Sequence, residues 1–273
     1  MFGNLTEAAD EFNSFLVNMG PSSAKEITNK PGDTGSGWKG ENKVMQSMFP
    51  GGLSENQIIS VAAKTKSQTS ADSNGIDMKT VKMTVDCIIK ALRYIYNLSF
   101  QTGIFPDRMK TAGVIPLFRS GDRQSFNSYR PISILSQFVQ KLDSFIENNS
   151  LLSESQYGFG SNRSTAAAIM KVTEEIPTAT DRKKFTIGVF IELKKAFHTV
   201  DHSILLSELN SFGVRGVALS RLESYLYYRQ QYVHFAGCGS EYMTMECGVP
   251  QGSVLVPKLF ILYINDICEV SKL

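Results

Sequence analysis

Nine residues, Phe185 to Leu193, set the terms for any fold of this chain. Phe185, Ile187, Val189, Phe190 and Ile191 are aromatic or β-branched, and charged turns bound the run, so it reads as a buried strand. Helical patterns lie on either side. Phe12, Phe15, Leu16 and Met19 repeat at helical spacing within Leu5 to Met19. Ser54, then Ile58, Ile59, Val61 and Ala62, reads as a capped helix, and Lys79 to Leu98 as a long amphipathic one. Thr165 to Ile176, Asp201 to Phe212 (closed by Gly213), Leu219 to Tyr228 and Pro257 to Asp266 read as further helices, and Ile132 to Leu142 as one opening after Pro131. Ala112 to Phe118 reads as a strand and turn. Gln231 to Phe235 and Tyr242 to Glu246 read as a hairpin around Gly237-Cys238-Gly239. Helices and strands mix without regular βαβ alternation, so the fold class is α+β.

Composition narrows the choices further. With 273 residues, 42% of them hydrophobic, the chain can bury a sizeable core and is not wholly disordered. No apolar run reaches the roughly 18 residues of a membrane span, so no membrane partner is expected. Met1 to Glu11 carries acids where a secretory signal would carry basic residues and then an apolar stretch. An intracellular protein is expected, with nucleus and cytoplasm not distinguished. Cys87, Cys238, Cys247 and Cys268 are scattered, which suits reduced, buried thiols. Asn29 to Gly52 is crowded with Gly, Pro, Ser, Asn and Lys and reads as a loop or linker.

Three segments could carry chemistry. Pro106 to Arg130 holds Arg108, Lys110, Arg119, Arg123 and Arg130 against only Asp107 and Asp122, enough local charge to track a phosphate backbone or a triphosphate. A solvated turn would look the same. Gly248-Val249-Pro250-Gln251-Gly252-Ser253 enters an apolar helix; its glycines allow close backbone approach, and the Gln251 amide can pair with a base or phosphate. A plain helix-entry loop is the competing reading. Glu192 ends the apolar strand, where an acid can hold a metal ion or simply cap the next element.

In this order the segments resemble a reverse transcriptase of the non-LTR, LINE-class, jockey-type retrotransposon family. Glu11 to Phe15 with Val17 to Pro21 is similar to the linker before the polymerase domain, and Ser73-Asn74-Gly75-Ile76-Asp77 to the family's SxGxDG opening. Met109 to Asp122 and Asn127 to Ser133 resemble the fingers motifs, and Tyr157-Gly158-Phe159 with Arg163-Ser164-Thr165 the next one. Val189 to Val200 with Asp201-His202 resembles the first palm motif; Gly248 to Leu255 with Tyr263-Ile264-Asn265-Asp266 resembles the palm motif that supports the nascent pair.

The resemblance implies an RNA-directed DNA polymerase working on an RNA template, a DNA primer and dNTPs by two-metal nucleotidyl transfer with Mg²⁺. Lys110, Arg119 and Arg130, with Arg163, would lie over triphosphate and template. Phe197 would be the gate that excludes a ribose 2′-hydroxyl, and Gln251 and Gly252 would contact template and incoming nucleotide. The implied layout is a linker over 1–52, a fingers-like region over 53–184 and a partial palm over 185–273, with the thumb absent. Oligomeric state is not legible.

Departures from the family point toward lost activity. Glu192 stands where the family has its metal-binding aspartate, and the extra methylene moves the carboxylate by roughly 1.5 Å. Mg²⁺ demands near-octahedral geometry at about 2.0–2.1 Å, so that shift is large. His198 replaces the aspartate after the gate, Gly160 replaces an arginine, and Lys258 replaces an apolar residue. A fingers helix is shortened between Asp143 and Asn148. The 273 residues include no Tyr/Phe-Ala-Asp-Asp. The expectation is a degenerate copy: catalytically inactive, poorly soluble where the apolar strand edge lacks cover, or else a non-catalytic nucleic-acid-binding remnant.

Overall fold

The computed structural model describes residues 4–28, 44–48, 51–64, 78–118, 120–122, 125–126, 129–134, 140–160, 163–193, 195–250 and 255–267. Eight helices and five strands are formed there, as an α+β arrangement. The helices are α1 (Leu5–Thr28), α2 (Glu55–Lys64), α3 (Met78–Thr102), α4 (Gln140–Asn148), α5 (Thr165–Asp181), α6 (His202–Ser211), α7 (Val217–Leu226) and α8 (Leu255–Tyr263). The strands are β1 (Thr111–Phe118), β2 (Tyr129–Ile134), β3 (Arg229–Phe235), β4 (Cys238–Gly239) and β5 (Met243–Met245).

Local chemistry accounts for the helix ends. Ser54 and Gln57 form a reciprocal box at the start of α2: the Gln57 amide donates to Ser54 Oγ at 3.3 Å, and the Ser54 amide to Gln57 Oε1 at 2.9 Å. Asp201 caps α6 by accepting from the Ser203 and Ile204 amides at 2.8 and 3.0 Å. Beyond that helix Gly213 takes the left-handed conformation, φ 92°.

One sheet ties distant parts of the chain together. β1 pairs antiparallel with β2, from Gly113 opposite Ile134 to Phe118 opposite Tyr129, and parallel with β3 from Thr111 opposite Gln230. The other edge of β3 takes β4 and β5 in turn, both antiparallel. α1 lies against this sheet: Phe12, Leu16 and Met19 bury with Val114 and Val233. A buried amide pair fixes its register, since Gln231 Nε2 donates to Asn13 Oδ1 at 2.9 Å and Asn13 Nδ2 donates to the Gln231 and Glu241 carbonyls. The largest core gathers α4, α6, α7 and α8 through Leu142, Ile146, Leu205, Leu209, Leu226, Leu259 and Leu262. A smaller cluster joins α2 to α3 through Ile58, Ala62, Val85 and Ile89.

Three expectations need correction. The Ile132 to Leu142 stretch does not open a helix, because β2 runs through Ile134 and α4 starts only at Gln140. Pro131 fixes an extended approach that the β1 ladder continues. The cysteines are free but not buried: Cys87 is exposed, Cys238 and Cys247 are half-buried, and Cys268 lies outside the described residues. The largest correction concerns Phe185 to Leu193, which forms no strand and pairs with none of the described strands. Phe185 is 99% and Phe190 98% exposed. Residue type supplies a strand's side chains but not its ladder partner or its covering layer, and the described residues provide neither. Lys258 is half-buried on α8. Most of the Asn29 to Gly52 loop reading, and the Ser73 to Asp77 motif, lie outside the described residues.

Candidate functional site

Two motifs far apart in sequence meet main chain to main chain. The Val249 amide donates to the Phe197 carbonyl at 2.8 Å, and the Gly248 amide to the Val200 carbonyl at 2.9 Å. The 195–200 segment is itself a tight turn: Lys195 sits at φ 57° and the His198 amide donates back to the Lys195 carbonyl at 2.9 Å. The turn holds Phe197 half-buried against α8, with its ring 4.8 Å from that of Phe260 and tilted by 53°.

Two glycines make room for this junction. Gly248 has φ 79°, and a Cβ there would lie 2.7 Å from the His198 carbonyl oxygen and 2.9 Å from its Cα. Gly20 on α1 presses against the same point, where a Cβ would come within 2.2 Å of that oxygen and 2.3 Å of Cys247 Sγ. Only a residue without a side chain fits either place without moving backbone.

The groups around the junction are held neutral. Burial, then the Lys195 charge, lowers the His198 pKa to about 4, so this imidazole is neutral at pH 7. Burial also lowers His202, against a smaller opposing effect of the Gly248 carbonyl. His202 Nε2 lies 2.7 Å from that carbonyl, which can only accept, so Nε2 carries the proton; Nδ1 has no hydrogen-bond partner among the described residues. Burial pushes the Cys247 thiol up, as do Asp201 and Glu246. Asp201 alone is biased toward its charge. Burial raises it, but hydrogen bonds from the Ser203 hydroxyl and the Ile204 and Ser203 amides outweigh that and hold its carboxyl below the usual range. That carboxylate is occupied by helix capping.

The other residues singled out in the sequence are not gathered here. Glu192 is exposed within the unpaired 184–193 segment. Lys110 is buried just before β1 and reaches outward to Asp107, Nζ to Oδ1 2.8 Å. Arg163 folds back on its own turn: Nη1 donates to the Ser153 carbonyl at 2.6 Å and to the Gln156 carbonyl. A Cβ on Gly160 would meet Arg163 Cδ at 2.6 Å, so the glycine leaves space for that clasp. Arg130 lies on β2 opposite Leu117. Arg119, Gln251 and Gly252 lie outside the described residues.

Among the described residues no three His, Cys, Asp or Glu side chains come together as a metal-binding group. With Glu192 exposed and apart, the described residues do not fit a Mg²⁺ ion. No helix among them is long and apolar enough to cross a membrane. The sequence reading missed Gly20, Cys247 and His202 as parts of the junction. Neither the burial of His202 in the first turn of α6 nor the contact with Gly20 leaves a local signal in the sequence.

The sequence is similar to those of known proteins. A family model described as reverse transcriptase (RNA-dependent DNA polymerase) matches residues 121–272. The chain is 30% identical over 229 residues to a probable RNA-directed DNA polymerase from transposon BS of Drosophila melanogaster, covering 77% of this chain and 24% of that protein. It is 27% identical over 219 residues to the RNA-directed DNA polymerase from mobile element jockey of Drosophila funebris, with the same coverages. A probable RNA-directed DNA polymerase from transposon X-element of Drosophila melanogaster is 26% identical over 219 residues. The chain spans about a quarter of the length of these curated relatives.

Proposed function

We propose a function from one premise: the chain belongs to the reverse transcriptase (RNA-dependent DNA polymerase) family, in its non-LTR retrotransposon branch. On that premise these residues serve RNA-directed DNA synthesis as a support for primer, template and incoming nucleotide, and do not themselves transfer a nucleotide. Residues 53–184 act as fingers and 185–273 as part of a palm, with 1–52 as the linker before them.

The observation that carries this reading is the junction of Phe197 with Val249. In the family these positions belong to the gate and to the loop under the nascent pair, and here the 2.8 Å bond holds the two together. The aromatic ring, backed by Phe260, would press on the sugar of an incoming nucleotide and exclude a 2′-hydroxyl by contact. Gln251 and Gly252, which follow Val249 after Pro250, would meet the template and the base. Lys110, Arg119 and Arg130 on and around the β1–β2 hairpin would offset phosphate charge. Arg163 would contribute by fixing the turn at 153–160.

Loss of transfer chemistry is supported from the other side. Glu192 occupies the metal-ligand position with a longer side chain, is exposed, and belongs to no group of three His, Cys, Asp or Glu side chains among the described residues. His198, neutral at pH 7, stands where the family carries an anion.

The binding half of the proposal is tested with a fluorescent RNA-template/DNA-primer duplex. The expected result is salt-dependent binding that weakens when Arg119 and Arg130 are changed together to Gln, with the log–log salt slope reduced by about 2. Binding that neither substitution nor salt affects would overturn it.

A further inference from the structure

A side chain that the gate junction does not use holds the turn clasped by Arg163. Asn265, just beyond α8, is 9% exposed. Its Oδ1 accepts from the Ser153 amide at 2.9 Å, and its Nδ2 donates to the Leu151 carbonyl at 2.9 Å. One carboxamide thus satisfies a main-chain donor and a main-chain acceptor, which a carboxylate of the same size does not do. Leu151 and Leu152 are buried in the largest core, so the contact anchors the turn where it leaves that core. Arg163 closes the turn through the Ser153 and Gln156 carbonyls, and Gln156 Oε1 accepts from the Gly158 amide at 2.9 Å. An unbroken series of hydrogen bonds therefore runs from Asn265 to Gly158. It starts from the helix that backs the gate ring through Phe260.

The residue this series leads to is Phe159. Its backbone is left-handed, φ 52°, although a glycine stands on either side of it. An aromatic residue adopts that conformation at a cost that glycine avoids, and such strain persists where the surrounding structure enforces it. The ring is 56% exposed, so burial does not offset the cost. Arg163, the charged group of the same motif, is engaged by carbonyls. Phe159 is then the side chain of the motif placed to meet a ligand. A flat ring on a rigid turn suits the face of an unpaired base, because stacking needs no charge and every base has a π-face.

We infer that Asn265 is a positioning residue: it holds the 151–160 turn so that Phe159 stacks on an unpaired base of the template strand. The inference rests on the reading of this chain as a support for primer and template, and adds a contact that reading does not assign.

The test uses the full chain with an RNA template and a DNA primer, the unpaired template overhang carrying 5-iodouridine. Long-wavelength ultraviolet light crosslinks such a base to an aromatic side chain stacked on it, and mass spectrometry maps the site. Wild type is expected to crosslink at Phe159. Phe159→Leu should lose the crosslink and weaken duplex binding about fivefold or more, with the log–log salt slope unchanged because no charge is removed. Asn265→Ala, and Asn265→Asp, which has no donor for Leu151, should each weaken binding in the wild-type background and no further in the Phe159→Leu background. A purely structural role would lower binding by the same factor in both backgrounds. Circular dichroism checks helix content, and the Asp variant decides if the Ala variant loses it. Salt-dependent binding without a crosslink at Phe159, or equal effects of the Asn265 variants in both backgrounds, would overturn this inference and leave the support reading standing. Absence of salt-dependent binding would overturn both.

Discussion

The Gly248 backbone passes so close to His198 that a Cβ on the glycine would lie 2.7 Å from the histidine's carbonyl oxygen. That approach, together with the bond from Val249 to Phe197, turns two remote motifs into one rigid junction. The junction's stability depends on the absence of a side chain at Gly248 and Gly20 and on neutral imidazoles around it.

Gly248→Ala should therefore destabilise the fold by about 2–4 kcal/mol, combining left-handed strain with a backbone clash that no flexible side chain can relieve. Gly237 is the matched control, at φ 88° with open space around its Cβ position. Gly237→Ala should cost only about 1 kcal/mol. Urea unfolding of both variants measures the difference, and equal costs would refute the clash.

Acid should loosen the junction. His198 and His202 both have lower pKa values in the fold than in an unfolded chain, so the unfolded state binds more protons between those values. Stability present at pH 7 is then lost as pH falls from about 6.5 through about 4, the His198 value. For His198 alone the loss is on the order of 3 kcal/mol. Unfolding free energies measured from pH 7.5 to 4.5 should show this slope, and His198→Asn should flatten it. An unchanged slope in the variant would count against a neutral, buried imidazole.

Arg229 offers a different kind of test. It is 1% exposed at the start of β3, with Nη1 donating to the Tyr225 carbonyl at 3.2 Å and the guanidinium 4.5 Å from the Tyr225 ring centroid. Nε and Nη2 have no hydrogen-bond partner among the described residues, so the charge is desolvated with little return. Arg229→Met keeps most of the volume and should be neutral or stabilising by about 1–2 kcal/mol, whereas Arg229→Ala leaves a cavity and should cost about 2–4 kcal/mol. Thermal unfolding separates the two; a large loss in the Met variant would show that the guanidinium is essential to the fold.

What the sequence revealed follows the range of the interaction. Ser54 announced α2, and Asp201 with Gly213 bracketed α6, because caps act within a turn of the residues that form them. The β1 and β3 strands were legible from their apolar content, but their parallel pairing was not, since no local feature of Thr111 points to Gln230. Phe185 to Leu193 failed for a related reason: its residues suit a buried strand, and whether it becomes one depends on a partner elsewhere. Family resemblance proposes Phe197 as the gate and the loop from Gly248 as its support. Their contact, and the part Gly20 and His202 play in it, exist only once the chain is folded.

The most direct test of the proposed function is primer extension by the purified full chain on an RNA template, with dNTPs and either Mg²⁺ or Mn²⁺, beside Glu192→Ala and Glu192→Asp. The account predicts no extension above the Glu192→Ala background with either metal ion. Extension by the wild-type chain that Glu192→Ala abolishes would contradict it, because Glu192 would then be holding a metal in a site that the described residues do not form.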